Sequence, residues 1–196
     1  GEGAVVNQGL IQAADGGYVA LLGSQVSNQG RIKTQLGTVA LAAGQAMTLD
    51  VSGDQLLNVA IDQGVANALL SNGGLLQADG GKVLMTTQVA GNLLANAVNN
   101  TGVVQAQSLA HRNGSIFLLG SAESGTVSLG GTLDVSGGPG QAGGRVVATA
   151  HHVGLFNAQI QASGDTGGGV VLVGGDYQGQ NLSLIHISEP TRQAEI

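Results

Sequence analysis

Asn28-Gln29-Gly30-Arg31-Ile32-Lys33-Thr34, followed by Thr38-Val39-Ala40-Leu41-Ala42, is one of four imperfect copies of a single unit. The other copies open at Asn7-Gln8-Gly9, Asn72-Gly73-Gly74 and Asn100-Thr101-Gly102. In each, a branched apolar residue stands four places after the Asn: Ile11, Ile32, Leu76 and Val104. Gln or Lys follows, then a small residue (Ala13, Thr34, Ala78, Ala106). A second apolar alternation comes next, at Val19-Ala20-Leu21, Val39-Ala40-Leu41, Val83-Leu84-Met85 and Ile116-Phe117-Leu118. The first two Asn are 21 residues apart and the later steps are 44 and 28. Repeats in this range are stacked units, none of which buries its apolar face alone.

The alternation has a period of two over three to five residues, which is the pattern of short strands. It predicts strands at Leu10–Ala13, Tyr18–Leu22, Arg31–Thr34, Thr38–Ala42, Leu75–Ala78, Lys82–Thr86, Val103–Ala106 and Ser115–Leu119. Asp15-Gly16-Gly17, Asn28-Gln29-Gly30, Asp79-Gly80-Gly81 and Asn113-Gly114 read as turns, because Asn, Asp and Gly tolerate left-handed backbone angles. Asp-Gly and Asn-Gly also suit antiparallel hairpins, so a β-sandwich is the competing local reading. Recurrence of the same apolar slots in the same order favours coils lying in register on one another, an all-β parallel solenoid. Ile11, Ile32, Leu76 and Val104 are expected to form one inward ladder, and Val19, Val39, Val83 and Ile116 another. Met47–Leu69 interrupts the repeat. It reads as one extra coil, since Thr48-Leu49-Asp50-Val51-Ser52-Gly53 resembles Thr132-Leu133-Asp134-Val135-Ser136-Gly137. The repeat continues from Leu133-Asp134-Val135-Ser136-Gly137 to Ile160-Gln161-Ala162-Ser163-Gly164, 27 residues on.

Composition narrows the function. The 196 residues include 35 Gly but only two Pro, with no three-residue period, so collagen is excluded. Apolar residues make up 42%, too many for a chain disordered by composition. There is no Trp, with two Phe and two Tyr, and a stack of like layers needs few aromatics. Net charge is −6 with 9% charged residues, so neither a phosphate-neutralising patch nor a base-stacking platform exists, and no nucleic-acid partner is expected. The chain has no Cys, hence no disulfide and no thiolate metal site. No apolar run reaches the length of a membrane span.

Five local patterns suggest chemistry and read better as structure. Gly138-Pro139-Gly140-Gln141-Ala142-Gly143 matches the dinucleotide fingerprint formally, but Val146-Val147 beyond it reads as strand where a helix is required. Adjacent strand residues face opposite ways, so His151-His152 do not share an ion, and His111 and His186 lack ligand spacing. Asp15-Gly16-Gly17 and Asp79-Gly80-Gly81 lack the calcium-binding nonapeptide pattern and read as corners. Asp50, Asp54 and Asp62, or Asp165 and Asp176, are the carboxylates available for polysaccharide cleavage. Each sits in a turn-like context, and sugar-binding aromatics are scarce. No nucleophile–base pattern is visible. Asn113-Gly114-Ser115, a glycosylation sequon, reads as a turn before a strand. No catalytic, cofactor-binding or metal residue is assigned.

The Asn-x-Gly-x-Ile-x-Ala pattern followed by Gly-Gly-x-Val-x-Leu resembles the filamentous-haemagglutinin-like exoproteins of bacterial two-partner secretion. The most specific phrase is Ile160-Gln161-Ala162-Ser163-Gly164-Asp165-Thr166-Gly167-Gly168-Gly169-Val170-Val171-Leu172-Val173-Gly174-Gly175-Asp176-Tyr177-Gln178-Gly179. The resemblance covers residues 1–181 and implies a right-handed parallel β-helix exported through a dedicated outer-membrane transporter. It further implies a secreted or cell-surface location and an adhesive role toward a host-cell, bacterial or matrix receptor. Alternatives are the stalk of a contact-dependent toxin-delivery exoprotein and a polysaccharide-active β-helix enzyme. The family's Asn-Pro-Asn-Gly-Ile signature is absent and expected upstream. The chain opens inside a repeat-like segment and reads as a piece of a longer protein. Leu182–Ile196 has no Gly and no repeat. It resembles a translated sequencing-adapter read-through, with a native cap as the alternative, and is expected to stand apart from a β-helix spanning residues 1–181.

Overall fold

A computed structural model describes residues 3–51, 56–89 and 94–174. Six coils follow one another, each made of three strands. Coil 1 is β1 (Ala4–Asn7), β2 (Leu10–Gln12) and β3 (Tyr18–Gly23). Coil 2 is β4 (Gln25–Asn28), β5 (Arg31–Gln35) and β6 (Thr38–Ala43). A hairpin of β7 (Ala46–Asp50) and β8 (Asn58–Gln63) intervenes. Coil 3 is β9 (Ala68–Asn72), β10 (Leu75–Asp79) and β11 (Lys82–Thr86), and coil 4 is β12 (Asn96–Asn100), β13 (Val103–Gln105) and β14 (Ser115–Leu119). Coil 5 is β15 (Gly125–Leu129), β16 (Thr132–Asp134) and β17 (Arg145–Thr149), and coil 6 is β18 (His152–Leu155), β19 (Gln159–Gln161) and β20 (Val170–Gly174).

Like strands of successive coils pair in parallel, giving three six-stranded sheets around one core: a parallel β-helix. Strands stacked about 4.8 Å apart place the sixth coil about 24 Å from the first. The sheets are called A (β1, β4, β9, β12, β15, β18), B (β2, β5, β10, β13, β16, β19) and C (β3, β6, β11, β14, β17, β20). Ile11, Ile32, Leu76 and Val104 pair consecutively, and the column runs on through Leu133 to Ile160. Val19, Val39, Val83 and Ile116 form the second expected column, continued by Val146 and Val171. From Ile32 to Leu133 and from Val39 to Val146 these side chains have no solvent exposure. At about 25 cal/mol per Å² of apolar surface removed from water, such columns supply the main stabilising term.

The sequence reading did not separate sheet A from the corners. Asn28-Gln29-Gly30 reads as a turn, yet Asn28 is the last residue of β4 and points into the core. The inward column Val5, Val26, Leu70, Val98, Val127 and Val153 precedes it. Two residues on, the inward slot holds Asn7, Asn28, Asn72 and Asn100 and then Leu129. The amides join in a chain: Asn7 Nδ2 donates to Asn28 Oδ1 at 2.7 Å, Asn28 to Asn72 at 2.8 Å and Asn72 to Asn100 at 2.8 Å. Each Nδ2 also donates toward the carbonyl two residues on, at Gly9, Gly30, Gly74 or Gly102. Every amide in this dry interior is therefore partnered, as burial requires.

Corners follow the expected chemistry in two coils. Gly17 N donates to Ala14 O and Gly81 N to Ala78 O, both at 2.9 Å, with Gly16 and Gly80 at φ 74° and 68°. Asp15 and Asp79 thus occupy the first central position of a turn that needs a left-handed second residue. Coil 2 places Leu36 at φ 54° in the corner slot that Gly80 fills in coil 3.

The extra coil expected in Met47–Leu69 is not formed. Thr48-Leu49-Asp50 lies in β7, which pairs antiparallel with β8, Leu49 opposite Val59. Leu133 is fully buried in its column, whereas its sequence counterpart Leu49 is 46% exposed. Space is the reason. Coil 3 lies directly on coil 2, Leu76 beside Ile32, and leaves no gap for a further rung. The excess chain folds back on itself outside the stack.

Candidate functional site

The described chain offers surfaces and no enclosed cleft. The most distinct feature is the β7–β8 hairpin seated on the outer face of sheet C. Leu57, 2% exposed, packs against Ala40 and Leu84, with Ala20, Val59, Phe117 and Leu119 around them. Ala and Leu on the outward side of a strand are a poor fit to water, and the hairpin removes them from it. Two polar contacts fix its angle. Leu57 N donates to Thr38 Oγ1 at 3.0 Å, and Lys82 Nζ donates to Asn58 Oδ1. Thr48 Oγ1 donates to Asp62 Oδ2 at 2.8 Å across the two strands.

Sheet B presents the second surface. Its outward positions form two columns, Leu10, Arg31, Leu75 and Val103 in one, and Gln12, Lys33, Gln77 and Gln105 in the other. A shallow hollow lies along each column, one lined by Leu10, Arg31, Leu75 and Val103 with Gln8 and Gln29, the other by Gln12, Asp15, Lys33, Gln35 and Gln77. Open hollows of this kind suit contact with another macromolecule rather than enclosure of a small ligand. At the C-terminal end of β10, Asp79 accepts from Gln77 Nε2 (2.6 Å), from Gln105 Nε2 (2.9 and 3.0 Å) and from Gln107 N (2.9 Å). Gln107 Nε2 reaches on to Asp134 at 2.6 Å, and Asp134 also accepts from Ser136 N. These carboxylates bind amides of neighbouring coils together.

The residues weighed for chemistry fall in scattered places. Asp50 and Asp62 lie on β7 and β8, and Asp165 Oδ2 accepts from Gly140 N at 2.8 Å, tying a coil 6 loop to a coil 5 loop. Asp54, Asp176, His186 and Leu182–Ile196 lie outside the described residues. His111 sits at φ 63° in the excursion between β13 and β14. His151 and His152 do not point apart as expected. His151 belongs to the bend before β18, and the two rings meet edge to face, centroids 4.3 Å apart. His151 Nδ1 lies 3.1 Å from Ala122 O. Gly138–Gly143 contains a turn, Gln141 N donating to Gly138 O at 3.0 Å with Gly140 at φ 73°, and leads into β17 rather than a helix. Asn113 precedes β14 in a loop, its Oδ1 3.5 Å from Ser108 Oγ.

Two features escaped the sequence reading, the hairpin and the buried Asn column. Alternation at Val59 and Ile61 marks β8. The Asn column is marked by an apolar residue two places before each Asn: Val5, Val26, Leu70 and Val98.

The family model of the TPS secretion domain matches residues 2–135, from coil 1 into coil 5. A comparison with curated proteins finds no match. This family is a secretion domain family, not an enzyme family, and its export implies interaction with a dedicated outer-membrane transporter. Among the described residues no helix is long and apolar enough to cross a membrane. A six-coil parallel β-helix bearing an extrahelical hairpin, and matched over residues 2–135, belongs to the TPS secretion domain family of bacterial two-partner secretion, and the protein is a secreted, filamentous-haemagglutinin-like exoprotein.

Proposed function

We propose that this chain is a structural segment of a large adhesive exoprotein displayed at the bacterial surface, a stiff element from which a binding region projects toward a host-cell, bacterial or matrix receptor. The observation that carries this reading is the unbroken register of six coils, with apolar columns running through all of them. A stack in which every coil is hydrogen-bonded to the next transmits force along its axis and holds an attached region at a fixed distance from the cell. No catalytic role is assigned: the carboxylates at Asp79 and Asp134 are engaged by glutamine amides and backbone, and their function is to join coils.

The test uses the producing bacterium with the intact gene and with the gene deleted. Adherence to epithelial cells, to sibling bacteria and to immobilised matrix is measured in parallel with growth inhibition of co-cultured siblings. The purified chain is assayed for release of reducing ends from bacterial and plant polysaccharides. Loss of adherence on deletion, without change in sibling inhibition and without sugar release, is the expected result. Loss of sibling inhibition alone would favour a toxin-delivery stalk, and sugar release would favour a β-helix enzyme.

A further inference from the structure

The apolar columns hold the coils together but say little about their register. A slip of one strand by two residues keeps every inward side chain inward. In coils 5 and 6 such a slip of β18 against β15 sets Val127 beside Leu155, or Leu129 beside Val153, apolar against apolar. Coils 1 to 4 are different. A two-residue slip of β9 against β4 sets Asn28 beside Leu70 in place of Asn72 and leaves the Asn28 amide, with no solvent exposure, without its 2.8 Å acceptor. An unpartnered polar group in a dry interior is strongly disfavoured, which is how a single buried Asn sets the register of other packed repeats.

The ladder also stands where register is hardest to keep. It joins Asn28 to Asn72 across 44 residues that include the hairpin, and Asn72 to Asn100 across 28 that include the segment after β11. It stops where the next slot is Leu129. There Asn100 Nδ2 turns to Gly102 O at 3.2 Å in its own coil.

We propose that the asparagine ladder Asn7–Asn28–Asn72–Asn100 is a register lock that makes coils 1 to 4 one cooperative unit, and that the Leu129 slot ends this unit and leaves coils 5 and 6 to open separately. Stacked repeats open along their axis wherever the coupling between neighbours is weakest. Where the buried ladder ends, the side-chain bonds from Gln107 to Asp134 and Ser136 and from Ser108 to the Ala142 carbonyl that cross from coil 4 to coil 5 are only part-buried, and the lock places that point there, inside a stack that is continuous by eye.

The test extends the lock. In L129N the new side-chain oxygen lies in register to accept from Asn100 Nδ2, as Asn100 Oδ1 accepts from Asn72, and the carbonyl of Gly131 stands two residues on, as Gly102 does for Asn100. Hydrogen exchange of the full chain is followed by mass spectrometry. In the wild type, amides of 125–149 exchange faster than those of 96–119. In L129N the 125–149 amides slow by about three- to tenfold and approach the rate of coil 4. The second variant, N72L, cuts the lock in the middle, and its urea unfolding is expected in two steps where coils 1 to 4 of the wild type give one. Unchanged or faster exchange of 125–149 in L129N overturns the proposal. So does single-step unfolding of N72L at a lower midpoint, since the ladder would then add stability without defining a unit. If N72L does not fold, L129N decides alone.

Discussion

Asn28 donates its side-chain amide to Oδ1 of Asn72 at 2.8 Å, although 44 residues and the whole β7–β8 hairpin separate them in sequence. Asn72 in turn donates to Asn100, so it is acceptor and donor at once. Asn72→Ala removes both roles and leaves the Asn28 amide and the Asn100 carbonyl oxygen unmatched in the core. Each unmatched group costs roughly 1–3 kcal/mol. Urea unfolding in two steps, the first at a midpoint lowered by a stability loss of that order, is the expected result.

Gly74 stacks beneath the carbonyl of Gly30, and a Cβ at Gly74 would lie 2.0 Å from that oxygen. The atoms on both sides lie in the short links between paired strands, held by the Gly74 N–Asn28 O and Leu75 N–Gly30 O hydrogen bonds, and have little room to retreat. Gly74→Ala is expected to cost about 1–3 kcal/mol through overpacking. Gly9→Ala, in the first coil of the same column, meets nothing closer than 3.9 Å and serves as the control. Thermal melts of the two variants should differ clearly, with the Gly9 variant near wild type.

Ile32 has no solvent exposure and sits between Ile11 and Leu76 in the sheet B column. Ile32→Asp puts an uncompensated charge in a dry stack and is expected to cost several kcal/mol, enough to unfold the coils around it. Leu10→Asp, one strand away at a position 63% exposed, is expected to stay within about 0.5 kcal/mol. Circular dichroism on heating separates the two, and equal effects would contradict the inward assignment of Ile32.

The hairpin depends on Leu57, which fills the contact with Ala40 and Leu84. Leu57→Ala is expected to weaken docking by about 2 kcal/mol or more, the usual scale for a buried leucine. The coils have their own columns and do not need the hairpin to pair. Limited proteolysis should therefore cut between 46 and 63 faster in the variant, while the far-ultraviolet signal of the sheets is retained.

Deleting Leu182–Ile196 should change the melting temperature little. The segment lies outside the described residues, and its sequence has neither the glycine corners nor the apolar register of the coils. A large loss of stability on deletion would mark it as a native cap.

Much of the coil is legible because strand periodicity is local. Lys82–Thr86 and Ser115–Leu119 are read from sequence with the bounds the structure has, and the columns through Ile32 and Val39 follow from repetition alone. Alternation marks which side chains share a face, and recurrence marks which faces stack. The misreadings share another cause. Asn28 is a good turn residue by propensity, and only its neighbours Asn7 and Asn72 make burial of its amide favourable. His151 and His152 meet because one of them lies in a bend, which adjacency does not reveal.

The repeat, the inward columns, the parallel stack and, through a resemblance, the secreted family are all written in the order of residues. The fate of Met47–Leu69 and the role of the recurring Asn emerge from long-range packing. Thr48-Leu49-Asp50 and Thr132-Leu133-Asp134 are the same three residues, yet one lies in an exposed hairpin strand and the other is a rung of the core. A strand joins the stack only where a free edge awaits it, and in the folded chain coil 3 occupies the edge of coil 2. Local pattern sets what a segment is able to pair with, and competition for hydrogen-bonding edges sets what it does pair with.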